Sequence, residues 1–189
     1  MSPDPVRRRR WTLFALAAIT IAPVAASYAI YYLFPRESTA NYGALLPTTS
    51  APPLAGTRAD GTPFTLADVR GRWVLLLVPG TRCGGDCERM LYATRQARTM
   101  QGREQARLVR VLVVDGAPEP PAQRNDDAPA TDLVAARVDA GSIRALPGTT
   151  PAIYVVDPLG NLVLRYGSDP DIKALSRDLG RLLKASRIG

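Results

Sequence analysis

Two short, largely apolar runs, "WVLLLV" at residues 73–78 and "LVRVLVVD" at 108–115, the second broken only by Arg110 before its closing Asp115, constrain this chain more than any other feature. Neither alternates polar with apolar residues, and both are short, so each predicts a strand covered on both faces. Residues 87–101 between them contain no Gly or Pro and predict a helix. Downstream, "AIYVVD" and "LVLRYG" flank "PLGN", which predicts a hairpin across residues 152–167. A closing helix follows, with Asp169 expected as its N-cap and Pro170 at its first position. Ile172, Leu175, Leu179, Leu182 and Leu183 then share one face, suited to covering a sheet. Upstream, Asp60-Gly61 within "TRADGTPFTL" predicts a small hairpin. Residues 116–130, "GAPEPPAQRNDDAPA", read as a polar loop, with a short helix expected before Leu146.

This order predicts an α/β fold of the thioredoxin-like kind, a mixed β-sheet covered by helices, over residues 54–187. What precedes it is of a different character. Four arginines, Arg7 to Arg10, lead into residues 11–34, which carry no charge. That run is long enough for a hydrocarbon layer of roughly 30 Å. Trp11 stands at one end and Tyr31 and Tyr32 at the other, where amphipathic rings favour the headgroup layer. The reading is therefore a cytoplasmic basic tip (1–10), a single transmembrane helix (11–34) kinked or not at Pro23, and a Pro-rich linker (35–53). The arginines stay in the cytoplasm, which places the folded domain outside a bacterial-type inner membrane, in the periplasm. The alternative is a signal peptide cleaved near the small residues "VAA" at 24–26, although the apolar run continues past them to Phe34.

The formal net charge is +7, and residues 1–36 supply four of the seven excess positive charges. The remainder is spread thinly, with no basic stripe, so nucleic acid is not expected as a partner. The chain has no histidine, which excludes Ser-His-Asp and Cys-His hydrolases and His-ligated zinc or haem. Its two cysteines, Cys83 and Cys87, stand in "TRCGGDC" at residues 81–87, where the first buried strand gives way to the helix. A helix N-terminus favours a thiolate, and an i, i+4 pair can meet the Cα separation that a disulfide needs. Arg82 favours ionised Cys83, whereas Asp86 opposes it. Cys83 is expected to be the exposed attacking thiol and Cys87 the resolving one. Two inert cysteines, or a disulfide that only fastens the loop, is the competing reading. Thr150-Pro151, directly before the strand "AIYVV", is placed for either a cis bond facing the dithiol or an ordinary trans proline.

"GRWVLLLVPGTRCGGDC", "VLVVDGAPEP" and "TTPAIYVVDPLGNLV" together resemble the SCO/SenC family, membrane-anchored thioredoxin-fold proteins that act in assembling the copper sites of cytochrome c oxidase. The resemblance implies that Cys83 and Cys87 match the family's paired copper ligands. It also shows departures: Thr149 stands where copper-handling members have a histidine, and Glu88 replaces the proline usual after the second cysteine. Two thiolates alone suit Cu(I) better than Cu(II). Met90 could add a thioether, though a helical methionine is ordinarily core.

Three functions stay open at this level. The first is a thiol–disulfide exchanger acting on a partner with cysteines, such as a cytochrome c oxidase subunit or a thiol-redox protein. The second is a Cu(I) carrier using Cys83 and Cys87. The third is a non-catalytic assembly scaffold. Asp115 and Asp157 are read as turn residues.

Overall fold

The computed structural model describes residues 5–33, 41–80, 83–115 and 133–186. The chain divides into two units, 1–40 and 41–189. In the first, helix α1 runs over Pro5–Leu33 with Pro23 inside it. Thr20 Oγ1 donates to the carbonyls of Leu16 and Ala17, and Leu16, Ile19, Ile21, Val24 and Tyr28 are all exposed. Among the described residues, no helix is long and apolar enough to cross a membrane.

The second unit is built on one mixed sheet. Its strands are β1 (Ala44–Ser50), β2 (Ala55–Arg58), β3 (Pro63–Thr65), β4 (Trp73–Val78), β5 (Leu108–Val114), β6 (Leu133–Val138), β7 (Ala152–Val156) and β8 (Asn161–Tyr166). They lie in the order β1-β8-β7-β4-β5-β6-β2-β3. Strands β4, β5 and β6 are parallel; β7 is antiparallel to β4, and β8 is antiparallel to β7 on its far side. Every residue of β4, β5 and β7 is buried, because both faces of the sheet are covered.

Alternate side chains sort to the two faces, as strand geometry requires. Leu75, Leu77, Leu112 and Ile153 meet helices α2 (Gly85–Thr99) and α4 (Ile172–Ala185). Leu76, Val78, Val111 and Tyr154 face a second core that includes Phe64, Ile143 of α3 (Ala140–Arg144) and Leu146. In α4, Leu175, Leu179 and Leu183 are buried, with Ile172 and Leu182 partly so. Gln101, just past the end of α2, ties the two helices together, donating to Ser176 O and Oγ at 3.0 and 2.8 Å.

Three sequence expectations need correcting. Residues 35–53 are not all tether: Ala44–Ser50 forms the edge strand β1, paired antiparallel to β8. Only Leu46 of that strand packs on the core, so its sequence carries almost no burial signal. Leu133–Val138 is a strand, where only a short helix (found at Ala140–Arg144) was expected. The N-cap of α4 is Asp171, not Asp169: the Asp171 carboxylate accepts from Ala174 N at 2.7 Å, which leaves Pro170 outside the helix.

The β2–β6 contact admits no side chain at position 56. A Cβ on Gly56 would lie 1.8 Å from the carbonyl oxygen of Arg137. Gly56→Ala should therefore push β2 off β6 and cost roughly 1–3 kcal/mol, read as a lower urea midpoint. An unchanged midpoint would show that the two strands separate without cost.

Candidate functional site

Strand β4 ends at Val78 and is followed by Pro79 and Gly80, and α2 begins at Gly85. Gly84 is the N-cap, so Cys83 lies just before the helix and Cys87 in its first turn. Their Cα atoms are 5.0 Å apart and their sulfurs are bonded to each other, within the separation range of ordinary disulfides. Cys87 is fully buried, in one cluster with Met90, Leu77 and Ile153. Cys83 is only partly buried and packs against the same cluster. Met90 is equally buried and serves as core.

The N-terminus of α2 carries acidic Asp86 and Glu88, which suit the unpaired N–H groups there. Asp86 is bridged by Arg89, so its charge is partly offset beside the cysteines. Glu88 is exposed. Arg82 lies outside the described residues, as does the 116–130 loop. In the reduced protein, Arg89→Gln should slow alkylation of Cys83 at neutral pH and Asp86→Asn should speed it, each by roughly two- to fivefold for one exposed charge acting across water. Equal rates in both variants would mean that this ion pair does not reach the sulfur.

β7 lies antiparallel beside β4, with Ala152 paired to Val78. The loop that leaves β4 toward Cys83 and the loop that enters β7 therefore emerge at the same end of adjacent strands. In the second loop the Thr150-Pro151 bond is cis, Thr149 and Thr150 are exposed, and Pro151 is half-buried. Sequence reasoning missed the two side chains that hold this loop. Tyr154 Oη donates to the Pro147 carbonyl at 2.8 Å. Arg165 of β8 donates through its Nη2 to the Thr149 carbonyl and lies 3.3 Å from Thr149 Oγ1. Only the register Tyr154↔Arg165 brings the two together.

Asp157 is a turn residue: its carboxylate accepts from Leu159 N, Asn161 N and Asn161 Nδ2. Asp115 directly follows β5, immediately before the undescribed loop. Among the described residues, no group of three or more His, Cys, Asp or Glu side chains is placed to hold a metal ion.

A family model described as "Transmembrane-like, thioredoxin-like, C-terminal domain" matches residues 73–186. No curated protein matches the sequence. Among solved structures, Arabidopsis thaliana ScoI with copper bound is similar at TM-score 0.57 and 18% identity, covering 73% of this chain and 100% of that one. BsSco, a member of the Sco family of cytochrome c oxidase assembly proteins in which a disulfide switch was identified, is similar at TM-score 0.54 and 15% identity, covering 73% and 93%. The thioredoxin domain of a thiol-disulfide oxidoreductase from Bacteroides vulgatus is similar at TM-score 0.50 and 16% identity, covering 73% and 99%. At these identities the likeness is one of fold, and the fold is thioredoxin-like.

Proposed function

Because this chain belongs to the family of transmembrane-like, thioredoxin-like C-terminal domains, we propose that it is a membrane-tethered thiol–disulfide exchange protein of the exported side. Its partner is a protein with cysteines, and maturation of a cytochrome c oxidase copper site is the assignment we favour. The observation that carries this reading is the asymmetric pair: half-exposed Cys83 bonded to fully buried Cys87 at a helix N-terminus. A partner can reach only one sulfur, and the other stands within bonding distance to resolve the intermediate. The Sco and oxidoreductase relatives support it, since one of them is known for a disulfide switch and another for thiol–disulfide oxidoreduction. Tethering is supported by the sequence alone, in the charge-free run at 11–34 that follows Arg7 to Arg10.

Full-length protein in detergent should equilibrate its Cys83–Cys87 pair with a glutathione redox buffer and exchange with a peptide disulfide. A pair that stays oxidised across the whole buffer range, with no exchange, would end this reading.

A second reading, a Cu(I) carrier, is favoured by the copper-bound relative of the same fold. Reduced Cys83 and Cys87 are the donors this chain offers, and two thiolates suit that ion. Thr149, at the place of the family's third ligand, has its carbonyl engaged by Arg165 instead. Anaerobic titration of the reduced protein against a moderate Cu(I) chelator separates the readings. Tight uptake of one ion, lost in Cys87→Ser, would favour the carrier.

A further inference from the structure

We propose that Arg165 is a positioning residue for the partner-docking half of the site: it fixes the 147–151 loop beside the dithiol, so that an incoming peptide disulfide meets a preformed wall. The inference rests on the exchange reading above and deepens it. Cys87 is sealed in the core and Cys83 is reached from outside, so a partner must approach along the sheet end where β4 finishes at Val78 and the 147–151 loop enters β7. The second loop presents exposed Thr149 and Thr150 there.

The inner side of that loop is held from two neighbouring strands. Tyr154 of β7 binds the Pro147 carbonyl, and its cross-strand partner Arg165 binds the Thr149 carbonyl. Between the two lies Gly148, at φ +88°, and a Cβ there would stand 2.8 Å from Arg165 Nε. Gly148 thus lets the guanidinium lie directly against the loop backbone. The fit is close enough to leave Arg165 Nε buried without a hydrogen-bond partner among the described residues. Leaving a buried donor unpaired costs free energy, which the charged Nη2 offsets by reaching both the carbonyl and the hydroxyl of Thr149. A loop fixed before the partner arrives spares the ordering cost of docking and does not touch the sulfur chemistry.

The test uses full-length protein in detergent, a fluorophore–quencher peptide disulfide as probe, and the reduction potential of the dithiol measured separately. Arg165→Gln should raise KM for the peptide roughly five- to tenfold, with kcat and the potential as in the parent. Arg165→Lys, which keeps a cationic donor for the Thr149 carbonyl but lacks the planar group that lies against Gly148, should fall between the two. A KM equal to the parent's, or a loss confined to kcat or the potential, overturns the positioning role while the parent's turnover keeps the exchange reading. A parent that does not exchange the peptide overturns both. If Arg165→Gln does not fold, Tyr154→Phe carries the test, since it removes only the hydroxyl on Pro147 O. An unchanged KM in Tyr154→Phe would then overturn the proposal.

Discussion

Cys87→Ser is expected to stop exchange after the first half-reaction and to leave the partner covalently attached to Cys83. In the full reaction the Cys83 thiolate attacks one sulfur of the partner disulfide, forming a mixed disulfide and expelling the other partner sulfur as a thiolate. Cys87 then attacks the Cys83 sulfur, closing the 83–87 bond and releasing the second partner thiol, so two electrons pass to the partner. Serine cannot perform the second step. The mixed disulfide should outlive that of the parent by at least about 100-fold, as visible by non-reducing mass spectrometry after incubation with a peptide disulfide. Cys83→Ser should trap nothing, because the remaining thiol at 87 is fully buried. The opposite result, trapping through Cys87, would invert the assignment of attacking and resolving thiols. Serine at 87 also places a hydroxyl in the apolar cluster with Leu77 and Ile153, at a cost of about 1–3 kcal/mol, so the variant's fold should be checked by its unfolding midpoint.

Much of the architecture was legible because burial on both faces leaves a plain mark. "WVLLLV" is apolar throughout, and "LVRVLVVD" nearly so up to Asp115, since helices cover one side of the sheet and a second core covers the other. The β7–β8 hairpin and the buried stripe of α4 follow from local pattern and turn chemistry. The elements that were missed lack that mark. β1 has only one residue, Leu46, against the core, and its sequence "ALLPTTS" is that of a linker. β6 is held by its parallel register to β5, from Arg110↔Leu133 to Val114↔Arg137, which no local pattern encodes. The site shows the same division. The cysteines were readable as a pair at a strand-to-helix junction, and their unequal burial follows from one preceding the helix and the other lying in its first turn. Arg165 was not readable. In sequence it is a charged residue in a half-exposed strand, and it acquires a role only when the β7–β8 pairing sets it beside Tyr154, under a loop sixteen residues earlier in the chain.

Asp178→Ala is expected to be the most destabilising of the substitutions considered, by about 3–5 kcal/mol. The Asp178 side chain is 2% exposed, and its Oδ2 accepts from Tyr42 N at 2.8 Å, Gly43 N at 3.0 Å and Tyr166 Oη at 3.0 Å. One carboxylate on α4 thereby holds the segment that leads into β1 and the last residue of β8. Alanine would leave two backbone N–H groups and a phenol without their acceptor. Asp178→Asn keeps an acceptor oxygen and should lose less, about 1–2 kcal/mol. A lower urea midpoint with an unchanged denaturant slope is the expected signature, and equal losses in the two variants would remove the hydrogen-bond account. The same cluster sets a pH limit. Burial, and then the Asp178 charge beside it, push the Tyr166 hydroxyl well above the ordinary tyrosine value. A raised folded-state value means that the unfolded chain releases this proton first. The stabilisation is complete below about pH 10 and is lost as the pH climbs above it. Tyr166→Phe has no such proton to lose, so its stability should fall less steeply in that alkaline range than the parent's. Identical alkaline slopes in parent and Tyr166→Phe would show that other groups govern the loss.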